Sequence, residues 1–184
     1  MSRFLGFYDY TVILTYASLL AAVSSMFYAS QGNFFYAVFF LMLSGLCDAF
    51  DGAVARSKKD RTEEGKAFGI QIDSLCDAVS FGLFPAIWAY FYGLKGPVGM
   101  VIVAVFSLCA IIRLGFFNVL EGKRQQTEGG CNKFYRGMPV TTISMLLPAE
   151  IFVIVLHVVM AAAAFLFVLD FRVKKIQLTA LFKR

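Results

Sequence analysis

Long apolar stretches separated by short polar ones set the pattern of this chain. They run from Thr11 to Ala29, Phe34 to Phe50, Ala67 to Tyr92, Val98 to Leu120 and Thr141 to Phe171. A helix needs about 20 apolar residues to cross a bilayer, so each of the first four predicts one span. The fifth is too long for one span and short for two, with Pro148 and Glu150 in its middle. The pattern predicts an all-α, polytopic membrane protein, with the number of spans left at five or six by hydropathy alone.

Charge resolves that number. Arg56, Lys58, Lys59, Arg61 and Lys66 follow the second stretch, Lys123, Arg124, Lys133 and Arg136 follow the fourth, and Arg172, Lys174, Lys175, Lys183 and Arg184 follow the last. The connections Ser30 to Asn33 and Gly93 to Pro97 hold only Lys95. By the positive-inside rule the three basic segments are cytoplasmic. An even number of spans then separates the Glu121 to Gly137 loop from the tail, which predicts six transmembrane helices with both termini cytoplasmic. The fifth-to-sixth turn falls near Glu150 to His157. The first span is longer than a signal-peptide core and reads as a retained anchor.

Composition supports the membrane reading, because 59% of the 184 residues are hydrophobic and 16% charged, where a soluble domain has about 25% charged residues. Mean hydropathy is +0.72. The net charge of +5 comes from basic residues that flank spans, so anionic headgroups account for it better than nucleic acid does. Cys47, Cys76, Cys109 and Cys131 have no paired ligand spacing and read as reduced thiols. Trp88, Tyr90 and Tyr92 end the third stretch and predict an interfacial aromatic belt. Residues 1–184 show no repeat and no linker, and predict a single membrane domain.

Four aspartates interrupt the apolar pattern. Asp48 and Asp51 close the second stretch at i,i+3, and Asp73 and Asp77 lie in the third at i,i+4, so each pair shares one helical face. Ionisable groups at membrane depth are expensive and need a compensating cation. Two such faces turned together would form an all-oxygen pocket for a hard divalent metal. Gly52, Ala55 and Gly69 remove side-chain bulk beside the acids, where a substrate backbone or phosphate must approach. Arg56, at the cytoplasmic end of its helix, suits a bidentate phosphate contact. The competing readings are acids that pair with Arg or Lys to hold helices together, or that line a cation path.

The arrangement Asp48-x-x-Asp51-Gly52-x-x-Ala55-Arg56, then Gly69-x-x-x-Asp73-x-x-x-Asp77, resembles the signature of the CDP-alcohol phosphotransferases. More residues separate Arg56 from Gly69 than in the usual form, so the polar run Ser57 to Lys66 reads as carrying a loop insertion. The runs Asp73 to Gly82, Arg113 to Asn118 and Tyr135 to Pro139 are similar to the phosphatidylserine synthase branch of that family. The resemblance implies transfer of a phosphatidyl group from CDP-diacylglycerol to the hydroxyl of L-serine, with release of CMP. It implies Mg2+ or Mn2+ held by Asp48, Asp51 and Asp73, with Asp77 as general base and possible ligand of a second ion. Gly52, Ala55, Arg56 and Gly69 would contact CDP-diacylglycerol. A homodimer in the cell membrane, with its active site toward the cytoplasm, is also implied.

Arg113 lies well inside the fourth stretch, five residues before Asn118. It reads either as a counter-ion to the acids or, with Asn118, as the site for the carboxylate and polar groups of the acceptor. His157 is assigned no role. The rivals are an intramembrane prenyltransferase, a cation transporter, and a family member using a glycerol-phosphate or inositol-type acceptor.

Overall fold

A computed structural model of the protein describes residues 6–8, 10–58, 60, 62–126, 134–136, 139–146, 153–170 and 172–174. Helix α1 (Tyr10–Ser30) turns at Gly32, whose φ of +72° suits glycine, into α2 (Phe34–Ser57). Helix α3 (Glu63–Asp77) continues through a π-helical turn (Ala78–Leu83) into α4 (Phe84–Phe91). Then come α5 (Gly96–Gln126), a 3-10 turn (Val140–Thr142), α6 (Ile143–Leu146) and α7 (Val153–Val168). Among the described residues the only departure from helix as regular structure is a two-stranded antiparallel ribbon, β1 (Phe134–Arg136) with β2 (Arg172–Lys174), in which Tyr135 faces Val173.

Four helical stretches are long and apolar enough to cross a membrane: Tyr10–Ser30, Phe34–Ala55, Glu63–Phe91 and Gly96–Gly122. They coincide with the first four predicted spans. The region expected to hold the last two contains α6 and the apolar segment His157–Val168, while Pro148, Glu150 and the predicted turn before Val153 lie outside the described residues.

Side chains are distributed as a lipid solvent requires. Large apolar residues such as Ile13, Leu20, Phe27, Phe35, Met100 and Leu108 point outward, whereas Ala22, Ala37, Ala89 and Ala110 are buried between helices. Small residues at the contacts let backbones approach, which drives helix association where there is no water to expel. Along α1, Thr11, Thr15, Ser18, Ala22, Ser25 and Ala29 recur at helical period, and all are buried. This stripe seats α1 on α2: Ser18 Oγ lies 3.0 Å from both the Ser44 carbonyl and the Ser44 Oγ, and Ser25 Oγ donates to the Ala37 carbonyl at 2.6 Å.

The π turn has a local cause. Pro85 has no N–H to give the Phe81 carbonyl, and its ring crowds that carbonyl in a regular α-helix. The chain widens instead, and the Phe84 N–H bonds to the Val79 carbonyl, five residues back. Ser107 Oγ of α5 donates to the Gly82 carbonyl at 3.2 Å, giving the loosened turn a partner. One extra residue per turn rotates everything downstream by about 100°.

Trp88 accordingly faces inward. It is 3% exposed and packs with Tyr92, at 4.1 Å between ring centroids, and with Phe34 at 6.3 Å. The expected aromatic belt is therefore corrected: Tyr90 is exposed, but Trp88 belongs to the core. The polar run Ser57 to Lys66 also divides, with its second half forming the first turn of α3. Thr62 caps that turn, its Oγ1 accepting from the Gly65 N–H at 3.1 Å.

Candidate metal centre

Asp48 and Asp51 lie in the second half of α2, Asp73 and Asp77 in the second half of α3. Asp77 is the last residue before the π turn. The two helical faces meet. Asp48, Asp73 and Asp77 each present a carboxylate oxygen within 4.8 Å of the others, all three residues being half-buried. Asp73 Oδ1 is buried without a hydrogen-bond partner.

This donor set fits a hard divalent cation. Oxygens on one octahedral Mg2+ sit about 3 Å apart when adjacent and about 4 Å when opposite, so side-chain rotation alone closes the trio around an ion. The ion would also satisfy the orphaned oxygen of Asp73 and offset the mutual repulsion of the carboxylates. No neutral packing role explains three acids pointed at one another.

Asp51 stands at the edge of the trio. It is 8% exposed, and its Oδ2 accepts a hydrogen bond from Thr15 Oγ1 of α1 at 3.1 Å. The structure thus brings all four acids to one region and groups three of them most tightly. Gly52 and Ala55 follow within a turn or so on α2, and Gly69 precedes Asp73 by one turn on α3; all three are half-buried. Arg56 belongs to the last turn of α2, and its side-chain contacts lie outside the described residues.

Helix α5 packs on α3 and carries the two acceptor-site candidates. Arg113 is buried, at 9% exposure. Asn118 is half-buried, and its Oδ1 accepts from Ser74 Oγ at 2.6 Å. Ser74 follows Asp73 directly, so this bond ties α5 to the helix that carries two of the acids. With Oδ1 accepting from Ser74, the Asn118 amide keeps both N–H donors for a ligand.

Thr15 and Ser74 escaped the sequence reading. A signal existed for Thr15, because hydroxyl and alanine residues recur at helical period through α1, and such a stripe in an apolar helix marks an interface. Ser74 carried no signal beyond its place between two acids, since its bond depends on the packing of α5.

Comparisons with known proteins agree with this geometry. Residues 10–170 match the family model described as CDP-alcohol phosphatidyltransferase. Over 114 residues, 61% of this chain and 46% of the relative, the chain is 38% identical to the CDP-diacylglycerol–serine O-phosphatidyltransferase of Helicobacter pylori. The Saccharomyces cerevisiae protein of the same name is 32% identical over 153 residues, 80% of this chain and 54% of the relative. The archaetidylserine synthase of Methanothermobacter thermautotrophicus is 37% identical over 121 residues, 63% of this chain and 46% of the relative. The chain spans about half the length of these curated relatives. With a match across nearly its whole length and the acids of the motif gathered at one place, the chain belongs to the CDP-alcohol phosphatidyltransferase family.

Proposed function

We propose that this chain is a phosphatidylserine synthase, moving the phosphatidyl group of CDP-diacylglycerol onto the hydroxyl of L-serine and releasing CMP. The observation that carries this is the convergence of Asp48, Asp73 and Asp77 from two helices, within a family whose named relatives are serine phosphatidyltransferases. A divalent ion bound there, Mg2+ or Mn2+, supplies charge neutralisation for the diphosphate and polarises its phosphoryl oxygens.

In this reading Asp48, Asp51 and Asp73 are the principal ligands. Asp77 takes the proton of the serine hydroxyl as the serine Oγ bonds to the phosphatidyl phosphorus. The bond from that phosphorus to the bridging oxygen breaks, and CMP leaves with the electron pair. Asp77 also belongs to the converging trio, which supports its second role as a shared ligand. Gly52, Ala55 and Gly69 leave room for the CDP moiety, and Arg56 clamps a phosphate. Arg113 and Asn118 hold the serine carboxylate; the N–H donors of the Asn118 amide suit an anion.

We place this activity in a single membrane domain, residues 1–184, with six spans, both termini cytoplasmic and the site open to the cytoplasm. Pairing of β1 with β2 supports the even number of spans, because the segment after α5 and the segment after α7 meet. A homodimer in the cell membrane rests on the family resemblance alone. The test is CMP release by the purified protein from CDP-diacylglycerol with serine, glycerol 3-phosphate and inositol phosphate in turn. Release with serine alone is expected. Release with another acceptor only would keep the family chemistry and replace the acceptor.

A further inference from the structure

Helix α1 contributes no acid or base to the site, yet it reaches the aspartate cluster through one hydroxyl. A threonine in a helix commonly bonds the carbonyl one turn back. Thr15 instead donates across the α1–α2 contact to Asp51 Oδ2 at 3.1 Å. Both groups are sealed from water, Thr15 at 5% exposure and Asp51 at 8%. No water can readily replace the donor, and in such surroundings a hydrogen bond to a carboxylate is strengthened.

The bond has a geometric effect. A carboxylate turns about its last torsion with little resistance. A donor fixed on Oδ2 stops that rotation and leaves Oδ1 and the remaining lone pairs in one orientation. Asp51 is also the member of the four acids outside the tight trio, one turn along α2 from Asp48. Its orientation therefore decides whether the cluster offers three carboxylates or four.

We propose that Thr15 is a positioning residue of the metal centre, holding the Asp51 carboxylate in the orientation from which it joins Asp48, Asp73 and Asp77 around a divalent ion. The inference rests on the reading that these acids bind such an ion and assigns a part in it to α1. Thr15 itself touches neither substrate nor metal. The seat of α1 on α2 is thereby linked to metal affinity.

The test is Mn2+ binding to the purified full chain in detergent, followed by electron paramagnetic resonance without substrate. Loss of a partner behind a metal ligand lowers affinity by about tenfold to a hundredfold, and Thr15→Val, equal in shape but without a donor, is expected to fall in that range. Thr15→Ser restores the hydroxyl and is expected to bind within about threefold of wild type, as a recovered hydrogen bond should. If Thr15 acts through Asp51, Asp51→Asn combined with Thr15→Val binds no more weakly than Asp51→Asn alone. Thr15→Ala serves if the valine variant does not purify as a monodisperse species.

Unchanged Mn2+ affinity in the variant lacking the hydroxyl overturns the inference, and so does a full additional loss on the Asp51→Asn background. CMP release is measured alongside. Wild-type release with serine together with Thr15-independent Mn2+ binding sinks the inference and leaves the transferase reading standing. Thr15-dependent Mn2+ binding without CMP release from any acceptor does the reverse.

Discussion

A carboxylate at membrane depth needs a cation, a proton or a hydrogen-bond donor beside it, and the acids here meet that need differently. Asp51 has the Thr15 hydroxyl, whereas Asp48, Asp73 and Asp77 turn oxygens toward one another. An asparagine keeps the shape and removes the anionic ligand, so Asp48→Asn and Asp73→Asn should each lower CMP release at least about a hundredfold, or about 2.7 kcal/mol in the transition state. EDTA should abolish release, and Mn2+ or Mg2+ should restore it. Full activity in EDTA would rule out a metal role for the cluster. At the same scale, Arg113 and Arg56 are expected to divide the substrates between them. Loss of a charge-assisted contact worth about 1.5 to 3 kcal/mol should lower serine-dependent efficiency in Arg113→Ala by about tenfold to a hundredfold or more, with CDP-diacylglycerol binding retained. Arg56→Ala should weaken binding of the lipid nucleotide instead. Equal loss of both substrates in Arg113→Ala would mark it as a counter-ion of the acids.

At the scale of elements, small residues decide which helices touch. A Cβ added at Gly45 of α2 would overlap the Ser144 hydroxyl of α6 and lie 3.1 Å from its Cβ. Overpacking of this kind costs about 1 to 3 kcal/mol, so Gly45→Ala should lower the thermal unfolding temperature in detergent. Ser144→Ala, which removes the nearest atom, should recover part of the loss. An unaltered transition in Gly45→Ala would mean that the α2–α6 contact yields freely. The acid faces on α2 and α3 were legible in the sequence because i,i+3 and i,i+4 spacing fixes a face wherever the helix lies. The inward turn of Trp88 was not, because it follows a π turn that Pro85 imposes on the bonding around Phe81 to Phe84. Thr15 was half legible: its stripe marked an interface, but its partner depends on which helix that interface meets.

For the whole molecule, the open quantity is how many times the chain crosses the bilayer, and the ribbon of β1 and β2 bears on it most directly. Tyr135 follows α5 and Val173 follows α7, and the two are paired across the strands. A backbone ladder cannot form through hydrocarbon between segments on opposite sides of a membrane. In the six-span reading, the chain leaves and returns to the same side between these two segments, an even number of crossings after α5. In that reading the basic residues of both segments assign this side to the cytoplasm by the positive-inside rule. Single cysteines placed on a background with Cys47, Cys76, Cys109 and Cys131 replaced by serine would report this directly. In intact cells, cysteines at Lys59, Lys123 and Lys183 should resist a membrane-impermeant maleimide until the membrane is opened. One at Asn33, in the turn between α1 and α2, should react at once. Opposite labelling of the Lys123 and Lys183 positions would show an odd number of spans between them, and the β1–β2 pairing would then have to be abandoned along with the six-span topology.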